Sequence, residues 1–96
     1  PLYKSMTVEG HKIRIEFDHV GGGLKSRDDK PLSWFTIAGK DGDFVEATAV
    51  IQGNSVVVSN ETIAEPSAAR FAWDQLAEPN LMNAENLPAG PFRTSR

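Results

Sequence analysis

Hydrolysis of an ester by a serine triad requires a nucleophile, a base to take its proton, a carboxylate to orient that base, and donors to receive the oxyanion. The chain holds seven serines, Ser5, Ser26, Ser33, Ser55, Ser59, Ser67 and Ser95, and two histidines, His11 and His19. None of the serines lies in Gly-x-Ser-x-Gly or follows Gly-Asp or Gly-Gln, and there is no Asp-x-x-His pair. The inventory therefore predicts a chain that carries no catalytic, cofactor-binding or metal-ligating residue of its own. His19-Val20-Gly21-Gly22-Gly23 has the look of a His-Gly-Gly-Gly oxyanion loop, whose backbone N–H groups collect developing charge. Without a nucleophile the simpler reading is a loop after a strand, in which glycine relieves positive φ. Gly23-Leu24-Lys25-Ser26 lacks the glycine immediately before lysine that a phosphate loop requires. His11, His19, Asp18, Asp28, Asp29, Asp41 and Asp43 are not spaced as metal ligands, and Asp41-Gly42-Asp43 reads as turn chemistry.

Binding is the other chemistry to weigh. Aromatic faces stack on the CH faces of pyranose rings while amides bond their hydroxyls, so Trp34, Trp73, Asn80 and Asn83 are the candidate carbohydrate contacts, with Tyr3 and Asn86 as weaker members of the set. The competing role for both tryptophans is packing, because rings of this size dominate core energetics. Trp34 opens a predicted strand and Trp73 continues Phe71 along another, so both are expected in the core. Asn60-Glu61-Thr62 fits the N-glycosylation pattern but reads most simply as a crossover turn.

The elements that would position these residues are strands. Tyr3 to Val8 alternates loosely and Ile13-Arg14-Ile15-Glu16-Phe17 alternates strictly, the period-two pattern of a half-buried strand, with Ile13, Ile15 and Phe17 facing the core. Glu9-Gly10-His11-Lys12 turns one into the other. Asp18 to Leu32 offers little to bury and predicts a long surface loop. Strands are predicted at 34–38, 44–51, 55–59 and 68–74, with Asp41-Gly42 and Gly53-Asn54 supplying tight turns and 60–66 crossing over. From Gln75 onward periodicity is lost, yet Leu81, Met82, Leu87 and Phe92 recur too often for a solvated linker. The prediction is an all-β chain: a small antiparallel β-sandwich, immunoglobulin-like or jelly-roll-like, with an irregular but packed C-terminal tail over 75–96.

At 96 residues the chain is the size of a single domain with one core. An apolar fraction of 40% with 24% charged residues is ordinary for a folded protein. The net charge is −3, with ten Lys and Arg scattered among thirteen acids, so no basic stripe is available to a phosphate backbone and nucleic acid is an unexpected partner. There is no cysteine, so neither a disulfide nor a thiolate site is available. No apolar run reaches the roughly 20 residues of a spanning helix. The chain begins at Pro1 rather than Met, which predicts that more sequence precedes it in a longer parent.

The C-terminal third carries a resemblance. Arg70-Phe71-Ala72-Trp73, then Glu78-Pro79-Asn80-Leu81-Met82-Asn83, then Asn86-Leu87-Pro88-Ala89-Gly90-Pro91-Phe92-Arg93, is similar to the C-terminal end of bacterial sialate O-acetylesterases, carbohydrate esterases of the SGNH (GDSL-type) hydrolase class. Pro1 to Met6, and Ile13 to Asp18 through Gly21-Gly22-Gly23-Leu24, resemble the part of such enzymes that follows the catalytic domain. The resemblance implies a C-terminal accessory domain whose partner is the catalytic domain of its own parent chain. It implies that the parent's serine nucleophile and Asp-x-x-His pair lie upstream of Pro1. It further implies a parent that removes acetyl groups from O-acetylated sialic acid or a related glycan without an obligatory cofactor, in the periplasm or outside the cell. The alternative is an independent carbohydrate-binding module.

Overall fold

Strict alternation builds the first hairpin. In the computed structural model, which describes residues 2–18, 20–26, 32–40, 42–72, 80–85 and 87–94, β1 (Leu2–Glu9) pairs antiparallel with β2 (Lys12–Asp18). Glu9 faces Lys12 across the two-residue turn Gly10-His11, and Gly10 has φ 64, the positive value that a glycine at the first turn position adopts without penalty. A register shift between Tyr3 and Ser5 marks a bulge near the start of β1. Ile13, Ile15 and Phe17 point inward and are buried, as their spacing predicts.

The remaining described strands are β3 (Leu24–Ser26), β4 (Phe35–Ala38), β5 (Val45–Glu46), β6 (Thr48–Gln52), β7 (Ser55–Ser59), β8 (Ala68–Phe71), β9 (Leu81–Asn83) and β10 (Phe92–Arg93). They form two four-stranded sheets, β1-β2-β7-β6 and β10-β8-β4-β5, and a two-stranded ribbon, β3-β9. All pairings are antiparallel. Side chains of both large sheets meet in one core: Ile13, Ile15, Val56 and Val58 from the first, and Phe35, Ile37, Ala69 and Phe71 from the second. This is the predicted β-sandwich.

Four parts of the strand reading change. The segment 18–32 is not loop throughout, because Leu24–Ser26 pairs with Leu81–Asn83. The run 44–51 is two strands: β5 pairs with β4 in one sheet, β6 pairs with β7 in the other, and the chain changes sheets at Ala47. The strand at 68 ends at Phe71, since Ala72 adopts φ 53. The tail also carries regular structure. Leu81–Asn83 and Phe92–Arg93 are short strands, and Met82 bridges to Pro88. Strands of two or three residues show no measurable period, so spacing alone cannot reveal them.

The tail nonetheless packs as predicted at most of its apolar positions. Leu81, Met82 and Phe92 are buried, whereas Leu87 is 59% exposed. Phe92 enters the aromatic centre of the core, stacked on Tyr3 at 5.0 Å between centroids and on Phe71 at 5.5 Å. Phe17 and Phe35 meet the same ring edge-on at 5.6 and 6.4 Å. Burial pushes the Tyr3 phenol above its ordinary pKa. Beyond Phe92, the fully buried Thr94 completes the pairing of β8. Its Oγ1 accepts the Ala69 N–H at 2.8 Å and its own N–H donates to the Ala69 carbonyl at 2.9 Å.

Candidate functional site

The two outer faces of the sandwich differ in chemistry. On the first sheet, Arg14 straps three elements together: Nε donates to Glu9 at 2.9 Å, Nη1 to the Ser55 hydroxyl at 2.9 Å, and Nη2 to the Gln52 side-chain oxygen at 3.1 Å. The Glu9 hydrogen bond, set against some desolvation, pushes the guanidinium further up from its already high pKa. These bonds engage all three guanidinium nitrogens with the protein's own groups.

The second sheet presents a row in direct register across four strands: Glu46 on β5 faces Thr36 on β4, Thr36 faces Arg70 on β8, and Arg70 faces Arg93 on β10. The Arg70 guanidinium lies over the Phe44 ring, 3.9 Å from its centroid, the geometry of a cation–π contact. At the β4 end of this face lies Trp34. It is 41% exposed, not packed in the core as the strand pattern suggests, because Phe35 and Ile37 occupy the inward positions and period two turns their neighbours outward. Its backbone has φ 67, uncommon for a bulky side chain. Two hydrogen bonds hold the bend: the Ala72 N–H donates to the Trp34 carbonyl at 3.0 Å, and the Ser33 N–H donates to Asn80 Oδ1 at 3.0 Å. Ser33, Trp34, Phe35, Thr36 and Glu46 together line an open cleft of about 390 Å³.

The other candidate contacts lie elsewhere. Asn80 and Asn83 are each 3% exposed and serve the fold. Asn80 Oδ1 accepts from the Ser33 N–H and hydroxyl, and its amide donates to the Ser26 hydroxyl at 3.2 Å. Asn83 Oδ1 accepts the N–H groups of Glu85 and Leu87, each at 3.0 Å. Asn80 thus adjoins Trp34 through Ser33, but its amide is turned inward. Trp73 and Asn86 lie outside the described residues, as does the Gln75 to Pro79 part of the tail. Thr36 and Glu46 join the cleft without having been foreseen, since the register of β4 on β5 places them and each reads in sequence as an ordinary outward strand residue.

The glycine loop is occupied from within. Val20 and Gly23 close a turn, with the Gly23 N–H donating to the Val20 carbonyl at 2.9 Å. The Gly22 N–H, one of the groups an oxyanion loop would offer, donates instead to the Glu85 carboxylate at 3.1 and 3.3 Å. Asn60 Oδ1 accepts the Thr62 N–H and hydroxyl at 2.8 and 2.6 Å, and its Nδ2 donates to the Glu46 carbonyl at 2.7 Å, which makes Asn60-Glu61-Thr62 the crossover turn its sequence suggests. The hydroxyls of Ser33, Ser55 and Ser67 donate to Asn80 Oδ1, the Gln52 carbonyl and the Gly39 carbonyl respectively. Among the described residues, no three His, Asp or Glu side chains converge as metal ligands.

A solved carbohydrate acetylesterase from Xanthomonas citri contains this fold. The two superpose with a TM-score of 0.94 at 38% sequence identity, over 99% of the present chain. The chain spans only 22% of that protein's length. No family model and no curated protein matches the chain. The 96 residues are therefore similar to a domain-sized portion of a carbohydrate acetylesterase.

Proposed function

We propose that this chain is the non-catalytic C-terminal accessory domain of a carbohydrate O-acetylesterase resembling the sialate O-acetylesterases, packed on the catalytic domain of its own parent. The likeness in sequence and fold to 22% of a carbohydrate acetylesterase carries this reading. Two features of the chain support it. The serines stand in none of the settings that a triad esterase uses, and the glycine loop spends its Gly22 N–H on Glu85. The ester chemistry then belongs to a serine nucleophile, histidine and aspartate elsewhere in the parent. The role left to this domain is a rigid β wall, closed at β8 by its own tail. The finer assignment, to O-acetylated sialic acid, rests on the Ala-Trp, Asn-Leu-Met-Asn and Leu-Pro-Ala-Gly-Pro-Phe-Arg segments.

The test has two arms. The 96-residue chain is assayed for acetate release from 4-nitrophenyl acetate and from 9-O-acetyl-N-acetylneuraminic acid, and the parent is assayed with and without residues 1–96. The expectation is no turnover by the chain alone, and release of acetate from the sialate by the intact parent. Turnover by the chain that one Ser→Ala change abolishes would overturn the accessory role. A parent that deacetylates neutral sugars and not the sialate would overturn the finer assignment alone.

A further inference from the structure

Among the described residues, Trp34 is the one aromatic side chain that stands out as a large exposed hydrophobic. Two costs meet there. The indole leaves apolar area in water, and the backbone holds a bulky residue at φ 67, a conformation that persists only when its surroundings enforce it. Core packing does not account for it, because Phe35 and Ile37 fill the inward positions of β4. The result of the bend is an indole at one side of a cleft of about 390 Å³ whose other lining residues include Thr36 and Glu46. The Glu46 side chain is exposed and takes no hydrogen bond or ion pair from the described residues; only its backbone carbonyl is engaged, by Asn60.

An apolar ring beside a carboxylate and a hydroxyl is complementary to a pyranose. A sugar with equatorial substituents presents one flat face of C–H bonds and a rim of hydroxyl donors and acceptors. The indole can cover the face, the Glu46 carboxylate can accept two rim hydroxyls in charge-assisted hydrogen bonds, and the Thr36 hydroxyl can donate or accept. The same carboxylate disfavours an anionic ring in that position, by like-charge repulsion. From this we infer that the Trp34 cleft is a subsite for a neutral pyranose residue of a glycan, with its C–H face on the indole and its hydroxyls on Glu46 and Thr36. The inference rests on the accessory-domain reading for the presence of a glycan. It assigns this cleft to a neutral sugar of the chain rather than to sialic acid itself.

The experiment titrates the 15N-labelled chain with cellotetraose, a neutral β-linked pyranoside, and separately with N-acetylneuraminic acid. The Trp34 indole N–H is identified by its loss in Trp34→Phe, and saturation transfer reports which sugar protons touch the protein. Cellotetraose is expected to shift the Trp34 indole at roughly millimolar affinity, with transfer concentrated on the ring C–H protons, while N-acetylneuraminic acid leaves it unmoved. Trp34→Ala, folded by its amide dispersion, should weaken binding about tenfold or more, as expected for removal of an aromatic contact face. Trp34→Phe should retain part of the affinity, and Glu46→Gln should narrow the preference against the acidic sugar. An indole that stays still at saturating cellotetraose, or binding that Trp34→Ala leaves intact, overturns the subsite and leaves the ring as a surface for the parent's catalytic domain. Those outcomes do not touch the acetate-release assays, so the subsite and the accessory role fail separately.

Discussion

Glu85 and Gly22, 63 residues apart, are joined by the carboxylate of one and the backbone N–H of the other. The contact docks the turn after β9 onto the glycine loop before β3, and the Ala84 N–H seals it by donating to the Gly23 carbonyl at 2.9 Å. Gly21 lies under the same carboxylate: a Cβ built there would overlap the Glu85 side chain. Its φ of 57 is the second reason for glycine at this position.

Gly21→Ala is accordingly expected to destabilise the chain by about 1–2 kcal/mol from backbone strain, with an added contribution from displacing Glu85. In a Glu85→Ala background the added contribution should vanish while the strain remains. Urea denaturation of the two single variants and the double variant measures this coupling. Equal effects of Gly21→Ala in both backgrounds would show that the carboxylate moves aside freely.

The tail supplies core, and two of its apolar residues should separate cleanly. Phe92→Ala, which deletes the ring contacting Tyr3, Phe17, Phe35 and Phe71, is expected to cost about 3–5 kcal/mol. Leu87→Ala, at an exposed position, should stay within about 0.5 kcal/mol of the parent sequence. Equal losses in denaturant would mean that the tail packs differently from this arrangement.

Thr94→Val tests the closing pair on β8. The substitution keeps the shape but removes the acceptor for the buried Ala69 N–H, so the expected loss is about 1–3 kcal/mol, the cost of an unsatisfied buried donor. Faster amide exchange at Ala69 should accompany it. An unchanged exchange rate at Ala69 would argue against the hydroxyl as its partner.

Strain at Trp34 has its own signature. Trp34→Gly should be more stable than Trp34→Ala by about 1 kcal/mol, because glycine tolerates φ 67 and alanine does not. At an ordinary strand position the order is reversed, so the sign of the difference in melting temperature decides the matter.

Tyr3 predicts an alkaline dependence. Burial raises its pKa from the ordinary value of 10.0, so the folded state holds the phenolic proton more tightly than the unfolded state does. Its contribution is fully present below that ordinary value and is lost as pH rises through the folded-state pKa. Stability of the parent sequence should therefore fall more steeply above the ordinary value than that of Tyr3→Phe, as denaturation across that range would show. Parallel curves would mean that the phenol is as well hydrated folded as unfolded.

Period-two spacing by itself determined which side chains of the long strands face inward. Ile13, Ile15 and Phe17 could be placed in the core because adjacent residues of a strand must point to opposite faces. Glycine at 10 and at 53, each in a turn signal between two strand runs, likewise marked a tight hairpin. Inward and outward are all that such a pattern encodes. It does not name the partner strand, so the run from Phe44 to Ile51, read as one strand, concealed a change of sheet at Ala47.

Only the tertiary structure decided the rest. β3, β9 and β10 are too short to carry a period, and they exist because distant partners satisfy their backbone groups. The candidate asparagines Asn80 and Asn83 read as amides that could bond sugar hydroxyls, but folding buries them as hydrogen-bond acceptors for Ser33, Glu85 and Leu87. Trp34 read as core because large apolar rings usually are. The competition of Phe35 and Ile37 for the inward side of β4, together with a bend pinned by Ala72, turned it outward beside Glu46. Composition at one position cannot anticipate that outcome, because it depends on which neighbours have already taken the interior.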